Sequence, residues 1–238
     1  MNKKICLWSC PRNVSTALMY SFRSRLDTIV FDEPLYAHYL KVTNSNHPAR
    51  EEVLDTQEKN GEKVVKDIIL KDYPKHSFFK LMTHFLVDID KSFLYSVINV
   101  IFIRNPKEII HSYSKIIAGP KMKDIGVKMQ YELYHELKEK GKELIVLDSK
   151  YLLQNPNGIL SELCDKIGIP FDKNMLEWTK GPKKEDGVWA NYWYQNTHNS
   201  TTFSTYKEKK ILLNREEETL YKECLPFYNF LTEKSIKI

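Results

Sequence analysis

Apolar residues in this chain gather into five short continuous runs, separated by longer stretches in which they recur every three or four positions. The runs are ICLW (Ile5–Trp8), TIVF (Thr28–Phe31), FFKLM (Phe78–Met82), VINVIFI (Val97–Ile103) and LIVL (Leu144–Leu147). Runs of this length predict strands, and their lack of polar alternation predicts burial on both faces, the habit of a parallel sheet. Val97–Ile103 is the longest and most β-branched, which places it at the centre of that sheet. Helical spacing predicts helices over Ser15–Arg25, within Arg50–Asp72, and over Pro106–Lys115, Met122–Lys142, Asn157–Ile167 and Tyr206–Glu233. The alternation of the two patterns predicts an α/β fold: a three-layer sandwich around a central, mostly parallel sheet of about five strands. With no internal repeat and no low-complexity linker, residues 1–238 read as a single domain. The segments near 43–75 and 180–205 read as insertions or lids.

Composition narrows the class. At 238 residues, 42% hydrophobic and 28% charged, the chain can bury a sizeable core and stay dissolved. No apolar run approaches the ~20 residues of a membrane span. The opening MNKKICLWSC has no signal-peptide core, so the expected location is cytoplasmic, with no membrane partner. The four cysteines (Cys6, Cys10, Cys164, Cys224) lack metal spacing, as do His38, His47, His76 and His111. No metal is expected. A net charge of +5 suits an anionic small molecule and falls short of a nucleic-acid binder.

The first chemistry-bearing stretch is Trp8–Phe22, WSCPRNVSTALMYSF, a strand running through a cramped turn into a helix. Such a turn offers free backbone N–H groups and the positive end of a helix dipole to an anion. Here the amides of Asn13, Val14, Ser15 and Thr16, the two hydroxyls, and the planar cation of Arg12 would supply the cradle. The glycines and Gly-Lys pair of a nucleoside-triphosphate loop are missing, and Val14 resists positive φ, so a different turn shape is expected. Ser15 can equally be a plain helix cap. The second stretch is FIRNPKEIIHS, where the Val97–Ile103 strand ends in Arg104. Pro106 then opens a helix carrying Ser112 eight residues on. Both stretches begin at strand carboxyl ends, where open parallel sheets bind ligands.

Together CPRNVSTALM and RNPKEIIHSYSK resemble the two cofactor signatures of the sulfotransferase superfamily, whose donor is 3′-phosphoadenosine 5′-phosphosulfate (PAPS). The downstream LIVLDSKYLLQNPNGILSELCDKIGIPF is similar to that family as well, and the likeness runs from Ile5 to about Phe171. The opening also resembles a plant and microbial branch sometimes labelled aminotransferase-like. The resemblance implies a P-loop-like nucleotide-binding topology and a metal-independent transfer of a sulfuryl group to a hydroxyl or amine of a small-molecule acceptor. It implies that Pro11–Thr16 hold the 5′-phosphosulfate and that Arg104 and Ser112 hold the 3′-phosphate. It is compatible with a homodimer. Two departures stand out: Asn13-Val14 replaces Ser-Gly, and the usual C-terminal Arg-Lys-Gly element is absent. His198–Phe203 and Lys207–Lys210 are its nearest substitutes.

For catalysis, Arg12 would neutralise the oxygen that leaves. Two residues compete as the base that takes the acceptor's proton. His84, in KLMTH, resembles the family's catalytic histidine, and its ordinary pKa suits neutral pH. Glu33, in DEP, resembles a glutamate used by other members, but Asp32-Glu33 can also cap a helix at Pro34. Lys80 is a candidate to polarise the sulfonate or a snorkelling side chain. The aromatic run WANYWY from Trp189 is either a cavity wall or core beneath a loop.

Overall fold

The structure is a computed structural model and describes residues 2–208 and 210–238. Five strands, β1 (Lys4–Ser9), β2 (Thr28–Asp32), β3 (His76–Met82), β4 (Ile98–Ile103) and β5 (Leu144–Asp148), form one sheet in the order β2-β3-β1-β4-β5. All four pairings are parallel. Each run predicted as a strand is one, extended by one or two residues at some ends and shortened by Val97 at the start of β4. The middle position belongs to β1, not to β4, which is flanked by β1 and β5. Hydrophobicity made both interior, and the crossover order chose between them.

Alternation along β1 divides the core. Ile5 and Leu7 join the side packed by α1 (Ser15–Arg23), α8 (Ser149–Gln154) and α9 (Pro156–Ile167). Cys6 and Trp8 join the other side, which receives α2 (Tyr36–Thr43), α3 (Arg50–Thr56), α5 (Pro106–Tyr113), α7 (Val127–Glu139) and α12 (Arg215–Glu233). The three-layer α/β sandwich expected from the run pattern is therefore present.

Several helix boundaries differ from the periodicity for identifiable reasons. The predicted Met122–Lys142 helix is split into α6 (Met122–Ile125) and α7, because Gly126 takes φ 79° between them. Within 50–72, α3 is followed by α4 (Gly61–Val64), which runs into a wider π-type turn at Val65–Ile69. The last helix starts at Arg215, not Tyr206. A reciprocal cap fixes that start: the Asn214 side chain accepts from the Glu217 amide, and Glu217 accepts from the Asn214 amide. Residues 203–208 and 210–214 instead form a strap without helix or strand. Between Gly181 and that strap lie two short helices, α10 (Ala190–Trp193) and α11 (Gln195–His198). Among the described residues no helix is long and apolar enough to cross a membrane.

The chain leaving β1 turns towards β2 through α1, whereas the chain leaving β4 turns towards β5. A crevice therefore opens between the carboxyl ends of β1 and β4, the position where a sheet of this kind binds ligands.

Candidate functional site

A cavity of about 750 Å³ occupies that crevice, and Arg12, Ser15, Thr16, Arg104, Ser112, Glu33 and His84 all line it. Ser200, Thr202 and residues 203–207 of the strap, with Trp189, Trp193 and Tyr194, close its remaining side.

The β1–α1 turn is built from two left-handed residues, Arg12 (φ 61°) and Val14 (φ 59°). The expectation that valine would keep position 14 out of positive φ is overturned. Val14 takes that conformation as the residue preceding α1, at a cost of about 1–2 kcal/mol for a β-branched residue. Surrounding contacts hold it there. Asn13 is 1% exposed, and its amide donates to the Phe102 carbonyl of β4 (2.5 Å) and accepts from Ser9 Oγ (2.7 Å). Its side chain is a fastener for the turn, leaving the backbone to face the cavity. Ser15 is the first helical residue, and no side chain caps the helix, so Ser15 is not the cap considered above. The first-turn amides of α1 remain free of side-chain acceptors, and no acidic residue stands in that turn. This donor set suits an anion.

Arg12 and Arg104 meet above the turn. Arg12 donates through Nε to Ser112 Oγ (3.0 Å) and through NH1 to the Trp193 carbonyl (3.3 Å). Burial, reinforced by the Arg104 charge, weakens its hold on its proton. Arg104 grips Glu108 Oε2 with Nε (2.8 Å) and NH2 (2.5 Å), and its NH1 donates to the Arg12 carbonyl. The Tyr206 hydroxyl donates to the other Glu108 oxygen (3.3 Å), which ties the strap to α5. Arg104 and Ser112 therefore both touch Arg12 and line the cavity, while Glu108 holds part of the Arg104 fork. Lys207 lines the cavity, Lys209 lies outside the described residues, and His198 bonds Asp186 instead (2.9 Å).

Deeper in, β2 and β3 present a buried charge cluster. Register pairs Asp32 with Lys80 across the two strands. The Lys80 ammonium donates to Asp32 Oδ1 (2.9 Å), Glu33 Oε1 (2.5 Å) and Tyr194 Oη (2.5 Å). Those three bonds use all its N–H donors, so it neither snorkels nor has a hydrogen free for a sulfonate. Although burial opposes it, the two carboxylates raise the lysine pKa. Glu33 does not cap α2, which starts at Tyr36 without a side-chain cap. Burial pushes its carboxyl up to about 7, against the pull of Lys80 and with help from Asp32. Its Oε2 accepts no hydrogen bond among the described residues.

His84 sits just past β3 in a single helical turn, packed edge-on against Tyr39 and Phe85. Burial, with a smaller push from His47, pulls it down to about 3, so the ring is neutral. Its Nδ1 has no hydrogen-bond partner among the described residues. The aromatic run turns out to be core and wall at once: Trp189 and Tyr194 are buried, yet both line the cavity. Asp32 and Glu108 were not singled out from sequence as site residues, and Tyr194 entered only as the last residue of the aromatic run. The one available signal was an Asp and a Lys at the carboxyl ends of two adjacent strands.

The family model described as "Sulfotransferase domain" matches residues 3–235. The chain is 41% identical over 226 residues to branched-chain-amino-acid aminotransferase-like protein 1 of Arabidopsis thaliana, and 38% identical to protein 2 of that plant. Each match covers 94% of this chain and 40% of the relative, so the chain spans about two fifths of their length. Among solved structures, the sulfotransferase domain from the curacin biosynthetic pathway aligns with TM-score 0.56 at 15% identity, over 94% of this chain and 97% of that one. A sulfotransferase from Alicyclobacillus acidocaldarius aligns with TM-score 0.58 at 8% identity, over 99% and 98%. These likenesses concern the fold. With the domain model spanning nearly its whole length, the chain belongs to the sulfotransferase family.

Proposed function

We propose that this protein transfers a sulfuryl group from PAPS to a hydroxyl or amine of a small-molecule acceptor. The observation that carries the reading is the meeting, in one cavity, of a strand–turn–helix anion cradle, the Arg12–Arg104–Ser112 wall and a free carboxylate oxygen on Glu33. The turn from Arg12 to Thr16 would hold the 5′-phosphosulfate, and Arg104 with Ser112 the 3′-phosphate. When bound, the donor supplies the sulfuryl group and a phosphate leaving group. Arg12 would stabilise charge on the departing oxygen as a fixed cation that does not readily give up a proton.

Between the two base candidates, the electrostatics favour Glu33. A carboxyl near 7 is matched to neutral operation, whereas an imidazole near 3 is too weak a base to draw off a hydroxyl proton. His84 is better suited to orient the acceptor by a hydrogen bond. Four buried free cysteines fit a reducing, cytosolic setting.

The test has two stages. In a thermal-shift series, 3′,5′-adenosine bisphosphate should raise the melting temperature and ATP with Mg²⁺ should not. Stabilisation by ATP alone would point to a kinase and discard the donor assignment. Labelled PAPS with a metabolite pool then reads turnover. Glu33→Gln should lower it by about 10²–10⁴-fold while leaving bisphosphate binding intact. A larger loss in His84→Gln than in Glu33→Gln would reverse the choice of base. Binding without transfer to any acceptor would mark a nucleotide-binding relative without turnover.

A further inference from the structure

Glu33 shares its lysine with a second carboxylate, and the two are treated differently by the fold. Asp32 accepts from the Lys80 ammonium (2.9 Å), from the Tyr194 hydroxyl (2.8 Å to each oxygen) and from the Gly187 amide (3.1 Å). Trp189 Nε1 donates to the Tyr194 oxygen (2.9 Å) and fixes the phenol from behind. Glu33 is held at one oxygen only. Its backbone is left-handed (φ 46°), and its amide bonds the Lys80 carbonyl (2.8 Å), so the residue is fastened to the same strand position as the ammonium. Asp32 and Lys80 come from neighbouring strands, whereas Gly187, Trp189 and Tyr194 all come from the 180–205 segment. That segment therefore reaches past the cavity mouth to the charge cluster at its floor.

We propose that Asp32 and Tyr194 are positioning residues for Glu33: by holding the Lys80 ammonium from two further sides, they fix how much of its charge reaches Glu33 and so set that carboxyl's readiness to take a proton. The inference rests on Glu33 as the base and deepens that reading. The groups facing Glu33 are Lys80 and Asp32 from the strands, Tyr194 from the covering segment and the Tyr36 phenol from α2. With Asp32 present, part of the lysine's charge is neutralised and Glu33 binds its proton more tightly. The single proton of the Tyr194 hydroxyl goes mainly to Asp32 (2.8 Å) and reaches Glu33 only weakly (3.5 Å), as a neutral donor that favours the ionised carboxylate. The two residues thus act on Glu33 in opposite directions.

The experiment follows the Glu33 carboxyl itself by infrared difference spectroscopy across pH, with the band assigned by its loss in Glu33→Gln. In Asp32→Asn the titration of that band should move to lower pH, because a like charge near the carboxyl is removed. In Tyr194→Phe it should move to higher pH. The acid limb of kcat/KM should follow the band in each variant, with KM for PAPS unchanged. A band that titrates at the wild-type pH in both variants overturns the proposal, as does movement in the same direction in both. A band that moves while the kinetic limb stays put supports the positioning roles and removes Glu33 as the base. If Asp32→Asn does not fold, Tyr194→Phe alone decides, since it changes one oxygen atom and reads the same band.

Discussion

Asn13 is buried in the β1–α1 turn, and its amide joins the start of the turn to the end of β4 through Ser9 Oγ and the Phe102 carbonyl. Its value is geometric. Two left-handed residues flank it, and each adds conformational energy that packing and hydrogen bonds must offset. Asn13→Ala removes two buried hydrogen bonds at about 1 kcal/mol each, so a loss of about 2 kcal/mol is expected in urea unfolding. The Phe102 carbonyl keeps the Gln130 amide (2.8 Å), which limits the damage. Loss of phosphosulfate binding without loss of stability in that variant would mean the side chain serves the ligand and not the turn. The sequence showed the departure from glycine at position 14, but not that a valine would be forced into φ 59°. That outcome depends on contacts with β4, roughly ninety residues away along the chain.

At the scale of elements, the Asp32–Lys80 pair is the tie between β2, an edge strand, and β3. Both side chains are 1% exposed. Removing one member of such a pair leaves a buried charge uncompensated. Lys80→Met is therefore expected to cost about 3–5 kcal/mol in denaturant unfolding. A loss under 1 kcal/mol would mean that Tyr194 and Gly187 alone satisfy Asp32. All five strands were legible because each holds a short, mostly apolar run, interrupted only by Lys80 in β3 and Asn99 in β4. The order in which they pair was not, because pairing is a long-range choice and local hydrophobicity does not distinguish β1 from β4. The late start of α12 was readable in principle from Asn214 and Glu217, a cap signature overridden by the periodicity of the strap before it. Arg12 with Ser15-Thr16 and Arg104 with Ser112 stood out as spaced signatures, and all of them line the cavity. Glu108 was readable in principle as the i,i+4 partner of Arg104, whereas the bond of Tyr194 to Asp32 arises only when the 180–205 segment folds over β2.

Over the whole molecule, Glu33 and His84 set opposing dependences of stability on pH. Glu33's carboxyl lies at about 7 in the fold against an ordinary 4.5. Its contribution is complete below about pH 4.5 and is lost as pH rises through 7. His84 lies at about 3 against 6.5, so its contribution is complete above about pH 6.5 and is lost as pH falls towards 3. From pH 4.5 to 6.5 the two slopes cancel. Glu33→Gln should therefore gain about 3 kcal/mol of stability across that window as pH rises, and His84→Asn should lose a similar amount. Calorimetric melting of the three proteins checks this, and parallel curves would contradict both assignments. His47 and His76, also lowered by burial, contribute nearly alike to all three. The Arg12–Arg104 wall has a different reach. Arg12 is lowered first by burial and then by the Arg104 charge, so the two guanidinium groups repel one another. A doubly charged anion relieves that repulsion whatever its shape. If the donor binds there as proposed, sulfate and phosphate, ordinary buffer components, would compete with it more strongly than singly charged chloride. An affinity measured for the donor is then a joint property of protein and buffer, and values taken in different salts describe different competitions.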